Sequence, residues 1–247
     1  MSTINWINFK GVDSRDLNLY VRTKNTFNRA KRNLTFISVP GRSGDIVIDD
    51  GKYPNVEIEY GMRLISTQYP ELSENENFFY SFEDVNRWLV SDGNYYSLID
   101  SYDNMYYRKA CLIKGLEVGQ PHHSIGDFSI KFNCKPFRYR LDGDEIITVT
   151  QKGTGIYNTE MYPSLPYMKI TGNGDIWLHI GGRQYNFYDV SGYVECDSEA
   201  MNVYKNLISK NNYYQGTEFP TFQPGTNVVS WSGNVTKIEI KPRWRTI

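Results

Sequence analysis

The chain has 247 residues, of which 27 are basic and 28 acidic, so its formal net charge is −1. This length fits one large domain or two modest ones and is enough to bury a core. The balanced charge argues against a dedicated nucleic-acid-binding protein, which usually has a basic excess, while twenty tyrosines and five tryptophans favour strands and interface cores.

Cysteine usage and hydropathy argue against further classes. The three cysteines, Cys111, Cys134 and Cys196, have no close spacing, so they predict neither a disulfide framework nor a zinc site. Residues Met1–Tyr20 lack the apolar centre of a secretion signal. No run approaches the roughly 18 apolar residues of a membrane helix. We therefore expect a protein that folds in a reducing cytosol and does not enter a membrane.

The first predicted element is a projecting hairpin within Pro40–Asn55. Three glycines in this segment permit positive φ, and Asp49–Asp50–Gly51 has the chemistry of an Asp-Gly turn. Arg42 and Asp45 place opposite charges at the two ends of the first turn. This pattern is not typical of a catalytic device, and a charged hairpin that projects needs a partner to receive it.

Two segments alternate between apolar and polar residues with a period of two. In Val56–Leu64 the polar side includes Glu57 and Glu59, and in Phe128–Lys135 it includes two lysines. This alternation predicts strands with one buried and one wet face. If the two strands pair, or meet across a subunit contact, their wet faces attract each other.

One amphipathic helix is predicted between these strands. Ser73 and Glu76 form a capping box at its start, Asp92–Gly93 ends it, and Glu83 and Arg87 are spaced for an ion pair. We expect the helix to cover the sheet through an apolar stripe. The stripe comprises Phe78, Phe82, Val85 and Leu89, flanked by Phe79 and Trp88.

A tight hairpin and a polar loop follow the helix. Tyr95–Asp100 and Met105–Ala110 predict the hairpin, and Leu112–Val118 predicts a further strand. His122 and His123 lie in the loop after it. Neighbouring histidines on an extended chain point in opposite directions, and no nearby cysteine or carboxylate completes a ligand set, so we interpret this loop as solvated.

The amino-acid composition changes at the charged stretch Arg138–Glu145, which predicts a boundary between domains 1–141 and 142–241. The second part consists of short strands, with hairpin turns at Gly172–Asp175 and Gly181–Gly182; Gly153–Gly155 is also interpreted as a turn. This density of strands predicts a sandwich or jelly roll. The candidate strands are Ile146–Thr150, Tyr167–Thr171, Asp175–Ile180, Gln184–Tyr188, Tyr193–Asp197, Asn227–Trp231 and Val235–Lys241, with Met201–Ile208 as a helical turn or strand.

The last segment, Phe219–Ile247, carries a Phe-Pro-x-Phe-x-Pro-Gly motif and ends in Pro-Arg-Trp-Arg-Thr-Ile. It resembles the carboxy terminus of the distal tail (Dit) proteins, which close the tail tube in long-tailed phages of Gram-positive bacteria. The amino-terminal half carries further features of this family in the same order. They are the Gly41–Asp45 and Asp49–Gly51 turns, the helix ending in Trp88–Leu89, the Tyr95–Tyr107 hairpin and the Phe132–Pro136 segment.

The resemblance implies a mainly β protein. Residues 1–141 would form a β-sandwich domain with one α-helix, related to tail tube subunits, to which residues 242–247 return. Residues 142–241 would form a galectin-like jelly-roll β-sandwich outside a ring. The family pattern implies no enzymatic activity and no cofactor.

The resemblance also implies partners and a location. The chain would form a homohexamer, single or paired back to back, around a channel through which DNA passes. Its partners would be the major tail tube protein, the tail-associated hub protein and receptor-binding proteins. It would be synthesised in the bacterial host cytoplasm and located in the virion, at the phage tail tip.

Within such a ring, the hairpin is a candidate for the contact that fixes the angle between neighbouring copies. Glu57 and Glu59 are hypothesised to line the channel, because an acidic lining does not hold phosphate. The candidate interface residues are Arg42, Ser43, Asp45, Ile46, Asp49 and Asp50.

A glycan-binding β-sandwich module, adhering to host cell-wall carbohydrate, is the alternative function. Trp177 and His179 share one strand face, and Arg183 follows in the same hairpin, as in galectin sugar sites. The remaining galectin residues are not evident, so a strand pair plus a turn arginine is the favoured interpretation. No catalytic or metal-binding motif is found, although 28 acidic residues leave a glycosidase-type carboxylate pair open.

Overall fold

The computed structural model describes residues 4–24, 27–90, 92–113, 116 and 124–247, which form two compact units. The first unit comprises Met1–Arg138 together with Ile247, and the second comprises Tyr139–Thr246. The division falls a few residues before the boundary predicted from the sequence. The predicted loop with His122 and His123 lies outside the described residues.

The first unit contains one large sheet, a separate two-stranded sheet and the only α-helix of the described chain. The large sheet has the strand order β2-β1-β7-β8-β9-β6-β3, and β4 pairs with β5 alone. The elements are β1 Ile7–Phe9, β2 Val12–Asp13, β3 Leu19–Lys24, β4 Leu34–Ile37, β5 Ile46–Asp49, β6 Val56–Ile65, α1 Glu74–Leu89, β7 Tyr96–Asp100, β8 Tyr106–Leu112 and β9 Ile125–Arg140.

The two alternating segments form neighbouring antiparallel strands, as predicted. Val56 lies opposite Cys134, and Glu59 lies opposite Lys131. The apolar side of both strands is buried, with Cys134 fully so. On the wet side, Lys131 Nζ forms an ion pair with Glu57 at 2.5 Å, which is the attraction expected if the strands paired.

The helix begins where the capping box predicts. Both the backbone N and the Oγ of Ser73 donate hydrogen bonds to Glu76 Oε2, at 3.2 and 2.6 Å. The helix ends at Leu89, before the predicted Asp92–Gly93, because Val90 has left the helical conformation (ψ 125°). The predicted ion pair with Glu83 is wrong, since Arg87 pairs with Asp84 at 2.9 Å.

The apolar face of the helix packs on the core of the first unit. Phe78, Val85 and Leu89 are buried in this core. The ring of Phe82 meets that of Phe128 edge to face at 5.6 Å between centroids. Phe79 lies outside the stripe and is 58% exposed. The helix therefore covers the side of the sheet opposite to Glu57.

The second unit is built on three long strands. Its sheet has the order β10-β17-β12-β13-β14-β15, with β11 pairing with β17 and β16 with β13. The strands are β10 Ile147–Val149, β11 Thr154–Asn158, β12 Tyr167–Ile180, β13 Arg183–Asp197, β14 Asn202–Lys205, β15 Ile208–Ser209, β16 Tyr214–Gln215 and β17 Gly225–Lys241. A last strand, β18 Arg245–Thr246, pairs with β9 instead.

Each of these three strands is continuous, whereas the sequence pattern predicted two shorter strands in its place. The predicted turn at Gly172–Asp175 is an irregularity within β12, where its register with β13 and β17 shifts. A Cβ atom at Gly172 would lie 2.3 Å from the carbonyl oxygen of Asn234. Glycine is therefore needed here for close approach of two strands rather than for chain reversal. Gly181–Gly182, in contrast, is the predicted two-residue turn, joining β12 to β13.

Two further expectations for the second unit need correction. Gly153 has the positive φ of a turn residue, but Thr154 and Gly155 belong to β11 and pair with β17. The strands β14 and β15 take the place of the single element predicted at Met201–Ile208. Gly153 stands directly before β11, so its pattern predicted the turn but not the strand that follows.

Of the carboxy-terminal residues, which were predicted to return to the first unit, residues 242–246 belong to the second unit and Ile247 to the first. Trp244 is 7% exposed and packs in the core of the second unit, with its ring 5.9 Å from that of Phe222. Arg243 forms two hydrogen bonds with Asp197, at 2.8 and 2.9 Å. These contacts hold the segment in the second unit.

Candidate functional site

The candidate site is a two-stranded ribbon, here called the arm, that spans residues 34–49. Its strands are β4 and β5, in the register Leu34 opposite Asp49 to Ile37 opposite Ile46. β-Branched and aromatic residues dominate both strands and favour extended backbone. Gly41 and Gly44 have φ of 80° and 86° in the connecting loop, so glycine is required where the chain reverses.

Apolar side chains occupy both faces of the arm and are exposed. Cross-strand partners share a face, so the register assigns each residue to one side. All eight strand residues are exposed, and the six large apolar ones are between 39% and 62% exposed. One face carries Leu34, Phe36, Val47 and Asp49, and the other carries Thr35, Ile37, Ile46 and Ile48.

Polar contacts anchor the base of the arm to the first unit. Arg32 forms an ion pair with Asp49 and donates a hydrogen bond to the hydroxyl of Tyr53 at 2.9 Å. Asn33 Nδ2 donates to Asp50 at 2.8 Å. Tyr53 packs against the core. The hydrogen bond to Tyr53 and the charge of Asp49 raise the pKa of Arg32, so this anchor remains charged.

The six predicted interface residues fall into two groups. The first group is exposed and lies in the loop or on a strand of the arm: Arg42, Ser43, Asp45 and Ile46. The second group, Asp49 and Asp50, bonds to Arg32 and Asn33 of its own chain. The backbone amide of Lys52 and the Asn33 side chain lower the pKa of Asp50. The two aspartates therefore position the arm.

The first strand of the arm, with Leu34, Phe36 and Ile37, was not predicted from the sequence. The segment Leu34–Ile37 lacks the apolar–polar alternation used to find strands, because both of its sides are apolar. Its signal is a run of strand-favouring residues shortly before Pro40–Gly41.

Glu57 and Glu59 lie on the wet side of β6, away from the helix. Glu57 is 56% exposed and paired with Lys131, and its carboxylate raises the pKa of that lysine. On the same side, Arg63 binds Asp127 through two hydrogen bonds of 2.8 Å. This surface thus carries both signs of charge rather than an acidic patch.

The three candidate sugar-binding residues are not on one face. Trp177 and His179 alternate with buried Leu178 and share the outer side of β12. Arg183 lies opposite Ile180, which is buried, and forms an ion pair with Glu218 at 2.6 Å. The geometry therefore brings two of the three together and directs the third to another partner.

The described residues contain no group of three or more histidine, cysteine, aspartate or glutamate side chains arranged to hold a metal ion. None of their helices combines the length and apolar character needed to cross a membrane.

The fold matches that of a solved phage protein over almost its whole length. The Dit protein (gp 19.1) of SPP1, a paradigm of the hub adsorption apparatus in phages that infect Gram-positive bacteria, superposes with a TM-score of 0.74. The match covers 99% of this chain and 100% of that one, at 12% sequence identity. The chain has a Dit-like fold.

Sequence comparison alone does not reach this result. No protein-family model matches the chain, and no curated protein matches it. The Dit-like fold confirms the predicted resemblance and the predicted mainly β class with one helix.

Proposed function

We propose that this chain is a structural subunit of a phage tail tip, which assembles into a ring through its arm. The observation that carries the proposal is the arm itself, with six exposed apolar residues on two faces. Isolated two-stranded ribbons are at best marginally stable in water. Exposed apolar patches on such elements mark protein interaction sites, so each face of the arm needs a covering surface.

A neighbouring copy of the same chain is the partner that fits best. A ring closes when each copy offers two different complementary surfaces. The arm supplies one of them, and its anchored base gives it a defined direction through Arg32. The full-length likeness to a Dit protein supports this assignment.

The remaining parts of the proposal follow the family resemblance. The ring is a hexamer, single or paired back to back, with a channel for DNA. It joins the major tail tube protein to the tail-associated hub protein, and receptor-binding proteins attach outside, near a galectin-like second unit. The chain is made in the host cytoplasm, resides in the virion and has no enzymatic role.

In this arrangement the wet side of β6, with Glu57 and Glu59, lines the channel. The Glu57–Lys131 and Arg63–Asp127 pairs neutralise lysine and arginine side chains on this side. A lining with paired charges gives DNA phosphates few free cations to bind.

Assembly of the purified chain tests the proposal. Light scattering and negative-stain images of the wild type at high concentration are expected to show annular particles of six times the 28.7 kDa chain, or twelve times if two rings pair. The double variant Phe36→Asp/Val47→Asp places two charges on one face of the arm. It is expected to remain monomeric, because burying these charges in the contact is costly.

Leu207→Asp is the matched control, since Leu207 is an apolar residue of the second unit that is 94% exposed. This variant is expected to form the same particles as the wild type. A wild type that stays monomeric at high concentration, or arm variants that assemble normally, would contradict the proposal.

A further inference from the structure

The first unit contains a cavity of about 190 Å³ with an excess of positive charge. It lies beside β3, β7, β8 and the end of β9, apart from the arm. Six charged side chains line it: Lys24, Arg29, Arg108, Arg138, Asp100 and Asp103.

Both aspartates are already engaged. Asp100 accepts hydrogen bonds from Lys24 Nζ at 2.6 Å and from the hydroxyl of Tyr60 at 2.5 Å, and from two backbone amides. Asp103 pairs with Arg138. The negative charge in the cavity is therefore assigned to one lysine and one arginine.

Among the described residues, Arg108 forms no ion pair with an aspartate or glutamate. It lies opposite Leu98 in the β7–β8 pair and is 9% exposed. Its Nη1 has no hydrogen-bond partner among the described residues, and the same holds for the buried Nε of Arg138. An uncompensated buried charge is strongly destabilising, so a negatively charged group bound next to Arg108 would stabilise the protein.

Neighbouring positive charges further favour a bound anion next to Arg108. Burial lowers the pKa of Arg108, and the nearby charges of Arg138 and Arg29 lower it further. Burial and the charge of Arg138 act on Arg29 in the same direction. A bound anion would relieve all three guanidinium groups at once.

We propose that this cavity is a binding site for an oxyanion, either a phosphate or a carboxylate group, held by Arg108 and Arg138 with help from Arg29. The planar guanidinium fork binds both groups through charge-assisted hydrogen bonds. The cavity volume suits a small ion or the end of an acidic side chain.

Thermal unfolding of the full chain tests the site, with inorganic phosphate and malonate as probes and chloride of equal ionic strength as reference. The melting temperature is expected to rise with at least one probe and to saturate. Arg108→Met is expected to unfold at a higher temperature than the wild type in chloride, because it removes an unpaired buried charge. It is expected to bind the probe about tenfold or more weakly.

Arg22→Met is the control, because Arg22 is about half exposed and pairs with Asp127 outside the cavity; it should respond like the wild type. A response to phosphate alone identifies a phosphate site, and a response to malonate identifies a carboxylate site. Equal response of wild type and Arg108→Met, or no response of the wild type beyond chloride, overturns the proposal. Should Arg108→Met fail to fold, Arg29→Met, at an exposed position, is used, and an unchanged probe affinity has the same meaning.

Discussion

At Gly172 the backbone of β12 approaches β17 so closely that a Cβ atom would lie 2.3 Å from the carbonyl oxygen of Asn234. Across the same irregularity, a Cβ atom at Gly233 would lie 2.3 Å from the carbonyl oxygen of Asp175. A backbone oxygen cannot swing away as a flexible side chain can. These two glycines therefore allow long strands to change register without breaking.

We expect Gly172→Ala to destabilise the second unit by about 1–3 kcal/mol, as overpacking does. The matched control is Gly155→Ala, where the added Cβ meets only Thr226 Cγ2 at an ordinary 3.5 Å. Urea unfolding followed by tryptophan fluorescence measures both. A loss at Gly172 no larger than that at Gly155 would contradict the close-approach explanation.

A second residue-scale prediction concerns the pair that fixes the carboxy-terminal segment. Burial would raise the pKa of Asp197, but the hydrogen bonds from Arg243 and two backbone amides lower it below its ordinary value. The stabilisation is therefore complete above the ordinary pKa of aspartate, about 4, and is lost as the pH falls through the lowered value.

We expect Asp197→Asn to destabilise the second unit by about 1.5–3 kcal/mol at neutral pH, the range for hydrogen bonds to charged groups. The difference from the wild type should shrink as the pH falls below about 4. Melting temperatures at pH 7 and pH 3 check this. Asp189→Asn, at an exposed position, serves as the control. A difference independent of pH would refute the ionic role.

Among the helices and strands, those with a regular apolar–polar pattern or a capping motif were predictable from the sequence, and those without one were not. The alternation in β6 and β9 and the capping box of α1 depend on one buried face, which leaves a period in the sequence. β4 has no buried face in the described chain, so no such period exists. A strand with apolar residues on both sides resembles, in sequence, a buried strand, although β4 is exposed.

The arm also gives a prediction at this scale. Arg32→Gln removes the ion pair with Asp49 while leaving the strands and their apolar residues intact. Because the base is then held less firmly, we expect faster hydrogen exchange of arm amides in the monomer, with the core of the first unit unchanged. Arg42→Gln, in the exposed loop, is the control. Equal exchange in the two variants would show that Arg32 does not anchor the arm.

At the scale of the whole molecule, the order of motifs was informative where each motif was weak. The mainly β class could be predicted from turn residues and strand density. The place of Trp244 could not, because a tryptophan near a chain end fits either of two cores. The excess positive charge of the cavity could not be predicted either. The sequence of the strand that contains Arg108 does not show that this side chain lacks a hydrogen-bond partner at Nη1 in the described chain.

The edges of the arm carry a risk for the chain in solution. Each of its strands pairs only with the other within the described chain, so both outer edges present free backbone groups next to apolar side chains. Such edges template aggregation when strands from different copies join in the wrong register. Because such pairing between copies speeds up with protein concentration, concentrated solutions of the unassembled chain are expected to lose soluble protein faster than dilute ones.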